Sequence, residues 1–125
     1  MAEWGSIENY LKRHYKVASQ EGTWMRLNFD MGEGRSQSIM VTRAGQLIQF
    51  VSPFATLDTV TMGDVFAAMR ELAIVLGITS VDGMLLVTHS QLLETADEEE
   101  IDAGIQLVLQ AADLLEQRLS PYDRF

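Results

Sequence analysis

The chain has 125 residues, of which 47% are hydrophobic and 22% charged, a composition typical of a globular domain and not of a disordered chain. Nine basic residues oppose 18 acidic ones, which gives a formal net charge of −9. With its basic residues scattered, such a chain is not expected to bind nucleic acid or an anionic membrane. Cysteine is absent, which excludes disulfides, zinc–thiolate sites and a cysteine nucleophile.

The length and the apolar runs indicate how the chain is organised. A chain of this size is expected to fold as one domain, residues 1–125. The first 15 residues lack the charged start and apolar core of a signal peptide, and no apolar run approaches the roughly 20 residues that span a bilayer. We therefore expect a cytoplasmic protein.

The first predicted element is an amphipathic helix over residues 3–15. Trp4, Ile7, Leu11 and Tyr15 recur at helical spacing, and we expect Trp4 to belong to the core. Residues 16–22 read as a polar connection in which a short strand is left open.

Three strands are predicted next, over residues 24–31, 36–42 and 46–51, because apolar and polar residues alternate there. Glycine-containing turns join them, so they are expected to pair as antiparallel neighbours. The chain should leave the sheet at Ser52, since Pro53 cannot donate a hydrogen bond to a central ladder.

A second helix is predicted over residues 62–76, with Thr61 capping its start through Asp64 and Gly77 ending it. One face holds the apolar residues Val65, Phe66, Met69, Leu72, Ala73 and Leu76. The opposite side is also rich in apolar residues, which points to a second partner. We predict a homodimer interface there, formed by Ala67, Ala68, Glu71, Ile74 and Val75.

Two further strands and a long helix complete the prediction. Asp82-Gly83 is a strong hairpin signal between residues 78–81 and 84–93, although the pattern does not decide which side of the second strand faces the core. The helix begins after Asp97, and its first-turn acids, Glu98 to Glu100, suit the positive end of the helix dipole better than a calcium loop. Its core stripe is Ile101, Ile105, Val108, Ala112, Leu115 and Leu119, and Leu107 and Leu114 form a second seam.

Catalytic chemistry is not indicated. The only histidines, His14 and His89, lie on different predicted elements, without the adjacent base or nucleophile that covalent catalysis needs. No metal-ligand spacing occurs, and Gly32-Glu33-Gly34-Arg35 reads as a hairpin turn because no helix follows it. We expect no catalytic residue, no metal and no cofactor, and hence no enzyme.

The predicted order is α-β-β-β-α-β-β-α, an α+β domain with helices packed on an antiparallel sheet. The motifs behind a family resemblance are Ile7, Tyr10 and Leu11; Gly22-Thr23-Trp24; Gly34-Arg35-Ser36-Gln37; Val51-Ser52-Pro53; and residues 111–116. With these motifs the chain resembles the type III secretion chaperone-like fold, and more closely the YbjN-like group of bacterial sensory transduction regulators. The resemblance implies a homodimer that binds protein segments.

Two functional hypotheses follow. The first is a chaperone-like or adaptor module that binds a protein client, with Trp24, Arg26, Leu107 and Leu114 as candidate partner-binding residues. The second is a small-ligand-binding sensory domain. Arg26, Arg35 and Arg43 are the polar groups that could converge on such a ligand.

Overall fold

The computed structural model describes residues 3–119, so the ends of the predicted domain lie outside the described residues. The described part contains three helices and six strands. In chain order these are α1 (Trp4–His14), β1 (Val17–Glu21), β2 (Trp24–Gly32), β3 (Arg35–Ala44), β4 (Leu47–Thr56), α2 (Met62–Glu71), β5 (Gly77–Val81), β6 (Met84–Leu92) and α3 (Glu98–Leu119).

The six strands form one sheet in the order β1-β2-β3-β4-β6-β5, with every neighbouring pair antiparallel. This arrangement confirms the predicted α+β class and the order of the helices and main strands. Residues 17–21, left open as a connection or a short strand, form the edge strand β1. A register shift between Val17 and Ser19 bends this strand against β2.

Helix α3 packs against the centre of the sheet. The predicted core stripe is confirmed at five of its six positions, since Ile101, Ile105, Val108, Ala112 and Leu115 are fully buried, while Leu119 is half-buried. Gly104 brings the helix close to the strands: a Cβ atom there would lie 2.9 Å from Cε2 of Phe50 and 2.8 Å from Nε2 of Gln91. Helices α1 and α2 bury Ile7, Leu11, Val65 and Ala68 in the same core.

Strand β4 continues past the predicted exit at Ser52. Its pairing with β3 stops at Val51, while its pairing with β6 includes Pro53 opposite Leu86. Hydrogen bonds of buried side chains take the place of the missing β3–β4 backbone pairs. Gln37 Nε2 donates to the Pro53 carbonyl at 2.7 Å and to Ser52 Oγ at 2.9 Å, and Ser52 Oγ donates to the Ser38 carbonyl at 2.6 Å. Pro53 is tolerated in the strand because these side-chain hydrogen bonds pair the carbonyls of Pro53 and Ser38, which no longer have partners in a β3–β4 ladder.

Helix α2 begins as predicted, since Thr61 Oγ1 accepts a hydrogen bond from the Asp64 N–H at 3.1 Å. It ends at Glu71 and not at residue 76, because Ala73 turns into a left-handed conformation with φ = 56°. The predicted apolar face is also wrong at Phe66, which is 55% exposed. The core takes Val65, as predicted, and the small Ala68 in place of Phe66, and α2 packs against α3 on that side.

Candidate functional site

One face of the sheet is left open by the described helices. Buried residues of β3, β4 and β6 face α3, so the alternate residues of these strands point away from it. We call these outward residues, together with those of β5, the open sheet face. They are Ser36, Ser38, Met40, Thr42 and Ala44 on β3; Leu47, Gln49, Val51 and Pro53 on β4; Met84, Leu86, Thr88, Ser90 and Leu92 on β6; and Gly77, Thr79 and Val81 on β5.

No residue of the open sheet face carries a charge. In a chain whose net charge is −9, a surface of this extent would ordinarily carry acidic residues. Met40, Val81 and Leu92 are exposed there, and Val51 and Leu86 lie half-buried between them. Depletion of charge around exposed aliphatic side chains is typical of the centre of a protein–protein interface.

Two of the predicted partner-binding residues border this face on β2. Trp24 lies opposite Thr42 and is half-buried, and Arg26 lies opposite Met40 and is exposed. Tryptophan and arginine are the residue types most often found as energetic anchors of interfaces. The sequence hypothesis therefore selected the border of the face, whereas its charge-free centre emerges only from the strand register.

The other two predicted partner-binding residues lie elsewhere. Leu107 and Leu114 are both exposed on α3, the helix that covers the opposite side of the sheet. Trp24 and Arg26 therefore cannot act with Leu107 and Leu114 as one continuous patch. The structure divides the predicted set into two surfaces.

The predicted dimer-interface residues have unequal access to a partner. Val75 is 92% exposed and Ala68 only 3%, so Ala68 is occupied by contacts within the chain. Ala67 and Ile74 are half-buried, and Glu71 is exposed and forms an ion pair with Arg118 of α3. The part of this set that can meet a partner lies mainly in the connection after α2, close in sequence to the exposed edge strand β5.

A shallow groove of about 320 Å³ runs along α2. Its walls combine Val60, Ala67 and Leu119 with the polar residues Asp64, Glu71 and Arg118. The Glu71–Arg118 ion pair bridges α2 and α3 here. The groove is a candidate place for the ligand of the small-ligand hypothesis.

The three arginines proposed for a small ligand do not converge. Arg35 Nη2 lies 3.4 Å from Asp113 Oδ2 on α3, whereas Arg43 Nε donates to the Gly45 carbonyl in the next turn. They are eight positions apart on β3, which is about 27 Å along a strand. Arg26 is on the outward side of β2. A single ligand cannot use all three.

Helices α1 and α3 are joined by two tyrosines that share one carboxylate. Tyr10 and Tyr15 each donate their hydroxyl hydrogen to Asp102, at 2.6 and 2.5 Å. The hydrogen bond to Asp102, followed by burial, raises the pKa of Tyr10 to about 12. Burial and then the same carboxylate raise the pKa of Tyr15 further. Since each hydroxyl donates its proton to a carboxylate, this cluster stabilises the helix packing and offers no free nucleophile.

The side chains of both histidines contact aromatic rings. The ring of His14 is tilted against that of Tyr10, with the centroids 4.5 Å apart, and the ring of His89 stacks on that of Phe50 at 6.1 Å. Among residues 3–119, no group of three or more histidine, aspartate or glutamate side chains is placed to hold a metal ion. Within the same residues, no helix combines the length and apolarity of a membrane span.

Buried polar residues also occur where the sequence pattern gave no signal. Asp113 and Glu116 of α3 are buried. Gln117 Nε2 donates to Asp113 Oδ2 at 2.9 Å, and Arg35 approaches the same oxygen. These residues join the start of β3 to the end of α3.

Comparison with known proteins identifies the fold. No protein-family model and no curated protein matches the sequence. A chain in the crystal structure of the ExsC–ExsE complex is similar over 95% of this chain and 97% of that chain, with 11% identity and a TM-score of 0.65. Another match comes from the heterodimeric ExoU–SpcU complex of the type III secretion system of Pseudomonas aeruginosa. It covers 90% of this chain and 95% of that chain, with 13% identity and a TM-score of 0.61.

At these identities the likeness establishes a shared fold. The similar chains are matched over nearly their whole length. The chaperone-like fold that the sequence resemblance implied is therefore confirmed. Both matching structures are described as protein complexes.

Proposed function

We propose that this protein is a non-catalytic module that binds another polypeptide, works as a homodimer and acts in the bacterial cytoplasm. The observation that carries this proposal is the open sheet face, an uncharged and partly aliphatic surface on a strongly acidic chain. Its fold is shared with chains from two protein complexes, which supports the same reading. Trp24 and Arg26 are proposed to anchor the client at the border of the face.

The homodimer is proposed to form through the connection after α2. Val75 and Ile74 of this connection, together with Ala67 and the exposed Phe66 of α2, would meet their counterparts across a two-fold axis. Ala68 is left out of this interface because it is buried within the chain. Burial of these side chains supplies about 25 cal/mol for each Å² of apolar area removed from water.

Sedimentation velocity on the wild type and on Ile74→Asp tests the dimer. We expect the wild type to sediment as a dimer and the variant as a monomer with an unchanged far-UV circular dichroism spectrum, because a buried unpaired carboxylate opposes association. Leu107→Asp, an exposed leucine on α3, is the matched control and should remain dimeric. A natively folded Ile74→Asp dimer would contradict this interface.

A cross-link provides an independent test. The chain has no cysteine, so Val75→Cys introduces a single thiol on an almost fully exposed side chain. Mild oxidation should convert this variant rapidly to a covalent dimer. Ala103→Cys, on the exposed side of α3, should cross-link much more slowly. Equal cross-linking rates for the two variants would show that the connections after α2 in the two copies do not face each other.

The resemblance to the YbjN-like group of sensory transduction regulators motivates one further part of the proposal, which is that this protein regulates the client it binds. Native mass spectrometry of protein purified gently from its own host tests whether such a client is present. A dimer with a reproducible additional polypeptide would support a chaperone or adaptor and identify the client. A bare monomer would count against both the dimer and the client.

The small-ligand alternative is favoured by one observation, the groove along α2 with its Glu71–Arg118 pair. A metabolite adduct in the same mass spectrum would support it. If the ligand occupies this groove, Ala67→Trp should abolish the adduct by filling the space, while Ala103→Trp on α3 should leave it unchanged.

A further inference from the structure

We infer that the exposed side of α3 pairs with α3 of a second copy of this chain, with the two helices antiparallel and related by a two-fold axis at Gln110. This side of α3 belongs neither to the open sheet face nor to the connection after α2. The pairing goes beyond the proposed function, because it needs neither a client nor the dimer through that connection.

The exposed side chains of α3 form a heptad seam. Their spacing of four, three, four and three residues is the period with which one helix meets another in a coiled coil. Both leucines of the seam are open to a partner, since Leu107 is 51% and Leu114 42% exposed. We call these residues the α3 seam: Ala103, Leu107, Gln110, Leu114 and Gln117.

The α3 seam is uncharged, although the chain has a net charge of −9. Three acidic residues occur in the same stretch of the helix, but none of them belongs to the seam. Asp102 accepts hydrogen bonds from Tyr10 and Tyr15. Asp113 and Glu116 are buried. A second copy can therefore approach the seam without placing like charges against each other.

The order of residues along the seam is self-complementary in the antiparallel orientation. A two-fold axis at Gln110 places Leu107 opposite Leu114 of the second copy, and Ala103 opposite Gln117. Each leucine then packs on a leucine, and the smallest side chain meets a long one. The two Gln110 amides meet at the axis, where each can donate to and accept from the other. A polar pair in such a seam fixes the register of the two helices.

Charges at the helix ends select this orientation. Glu98, Glu99 and Glu100 are exposed in the first turn of α3, and Arg118 is exposed in the last. A parallel pair would bring the two acidic turns together, whereas the antiparallel pair separates them by roughly 30 Å. The antiparallel pair also brings the acidic turn of one copy within about one helical turn of Arg118 of the other. The two helix dipoles then oppose each other favourably.

The size of the seam determines the strength of the pairing. From Ala103 to Gln117 the helix rises about 21 Å, and a helix about 10 Å wide leaves a footprint of roughly 200 Å² on each copy. A stable dimer buries about 800 Å² on each partner. The seam therefore matches one helix of equal length. The pairing is weak, forms at high protein concentration and adds copies to the proposed dimer without replacing it.

Cysteine cross-linking tests the register, because the chain has no thiol of its own. Under mild oxidation at high protein concentration, Gln110→Cys should form a covalent dimer at least tenfold faster than Gln106→Cys, an exposed position beside the seam. An equal mixture of Leu107→Cys and Leu114→Cys should give the mixed dimer faster than either variant gives its own. All these rates should persist when Ile74→Asp is also present, since the pairing does not use the connection after α2.

Sedimentation velocity over a range of protein concentrations tests the contact without a cross-link. The wild type should gain mass as its concentration rises, and Leu114→Asp should lose this gain, because the carboxylate would be buried without a partner. Leu92→Asp, at an exposed leucine of the open sheet face, is the matched control and should associate like the wild type. Far-UV circular dichroism confirms that each variant is folded.

The outcomes separate this inference from the proposed function. The expected rates in the Ile74→Asp background support the α3 pairing even if the dimer through the connection after α2 fails. Faster self-dimers of Leu107→Cys and Leu114→Cys would show a parallel pair and refute the inference. Equal rates for Gln110→Cys and Gln106→Cys, or a folded Leu114→Asp that associates like the wild type, would also overturn it. If Leu114→Asp releases a client polypeptide in native mass spectrometry and no self-cross-link forms, the seam binds the client, and the inference fails while polypeptide binding stands.

Discussion

Ala73 adopts a left-handed backbone conformation, φ = 56°, directly after α2. For a residue with a Cβ atom this conformation costs about 1–2 kcal/mol, whereas glycine adopts it freely. Ala73 is exposed, so its methyl group makes few contacts that a glycine would lose. We predict that Ala73→Gly raises the free energy of unfolding by about 1 kcal/mol, as measured by urea denaturation.

The matched control for this prediction is Ala103→Gly. Ala103 is also exposed but lies in the right-handed helix α3, where glycine costs about 1 kcal/mol relative to alanine. The two substitutions should thus change stability in opposite directions. A loss of stability in both would show that the left-handed turn at residue 73 imposes no strain.

Tyr10 supplies a pH-dependent prediction. In the unfolded chain a tyrosine ionises with a pKa near 10, and in the folded protein the pKa of Tyr10 is raised to about 12. The stabilisation by this group is therefore fully present below pH 10 and declines as the pH rises toward 12. At pH 11 the decline amounts to about 1.4 kcal/mol, the free energy of ionising the unfolded side chain.

Tyr10→Phe isolates this effect. At pH 8 the variant should be about 2 kcal/mol less stable than the wild type, because a hydrogen bond to a carboxylate is lost. Between pH 8 and pH 11 the gap should narrow by about 1.4 kcal/mol, because phenylalanine does not ionise. Urea denaturation at both pH values measures the gap, and a gap that stays constant would refute the raised pKa.

At the scale of elements, the distance between α3 and the sheet depends on Gly104. A methyl group at this position would lie under 3 Å from Phe50 and Gln91. The overpacking costs about 1–3 kcal/mol, which outweighs the gain of up to 1 kcal/mol in helix propensity. We predict that Gly104→Ala lowers the free energy of unfolding by about 1–2 kcal/mol in thermal or urea denaturation.

Gly63→Ala is the control for the same change in a helix without the contact. Gly63 lies in the first turn of α2, and a Cβ atom there would meet nothing closer than Thr61 Oγ1 at 3.9 Å. This variant should be neutral or slightly stabilised. Equal losses in both variants would point to backbone effects and not to the helix–sheet contact.

The elements that the sequence predicted well are those with a regular apolar period. The alternation in β2 and β3 and the stripe of α3 each bury one side of an element, and this burial determines the fold. The end of α2 was missed because alanine favours a helix, and only the tertiary packing turns Ala73 into a left-handed conformation. The extension of β4 past Pro53 was missed because Gln37 and Ser52 replace the ladder through contacts distant in sequence.

The candidate site was predictable only at its border. Trp24 and Arg26 could be chosen as residue types suited to binding, but their neighbours on the face come from β3, β4, β5 and β6. On β6, apolar residues occupy both sides, so the sequence pattern did not decide which side faces water. The strand register places Leu85 and Val87 on the side of β6 that faces α3. The alternate residues of β6, which are uncharged, therefore face outward.

At the scale of the whole molecule, the net charge of −9 opposes the proposed homodimer. Raising NaCl from 0.05 to 0.5 M shortens the screening length from about 14 to about 4 Å. If the interface is the apolar connection around Ile74 and Val75, we predict that the dimer dissociation constant falls several-fold over this range, as measured by sedimentation equilibrium.

A charge variant supplies the control for this salt dependence and separates it from salting-out. Replacing Glu98, Glu99 and Glu100 by glutamine reduces the net charge from −9 to −6 at exposed positions outside the proposed interface. The variant should dimerise more tightly than the wild type at 0.05 M NaCl and respond less to added salt.

A dimer that weakens with salt would instead be held by ion pairs. Glu71 would then have exchanged its partner Arg118 for the Arg118 of a second copy, and Arg118→Gln should abolish that dimer.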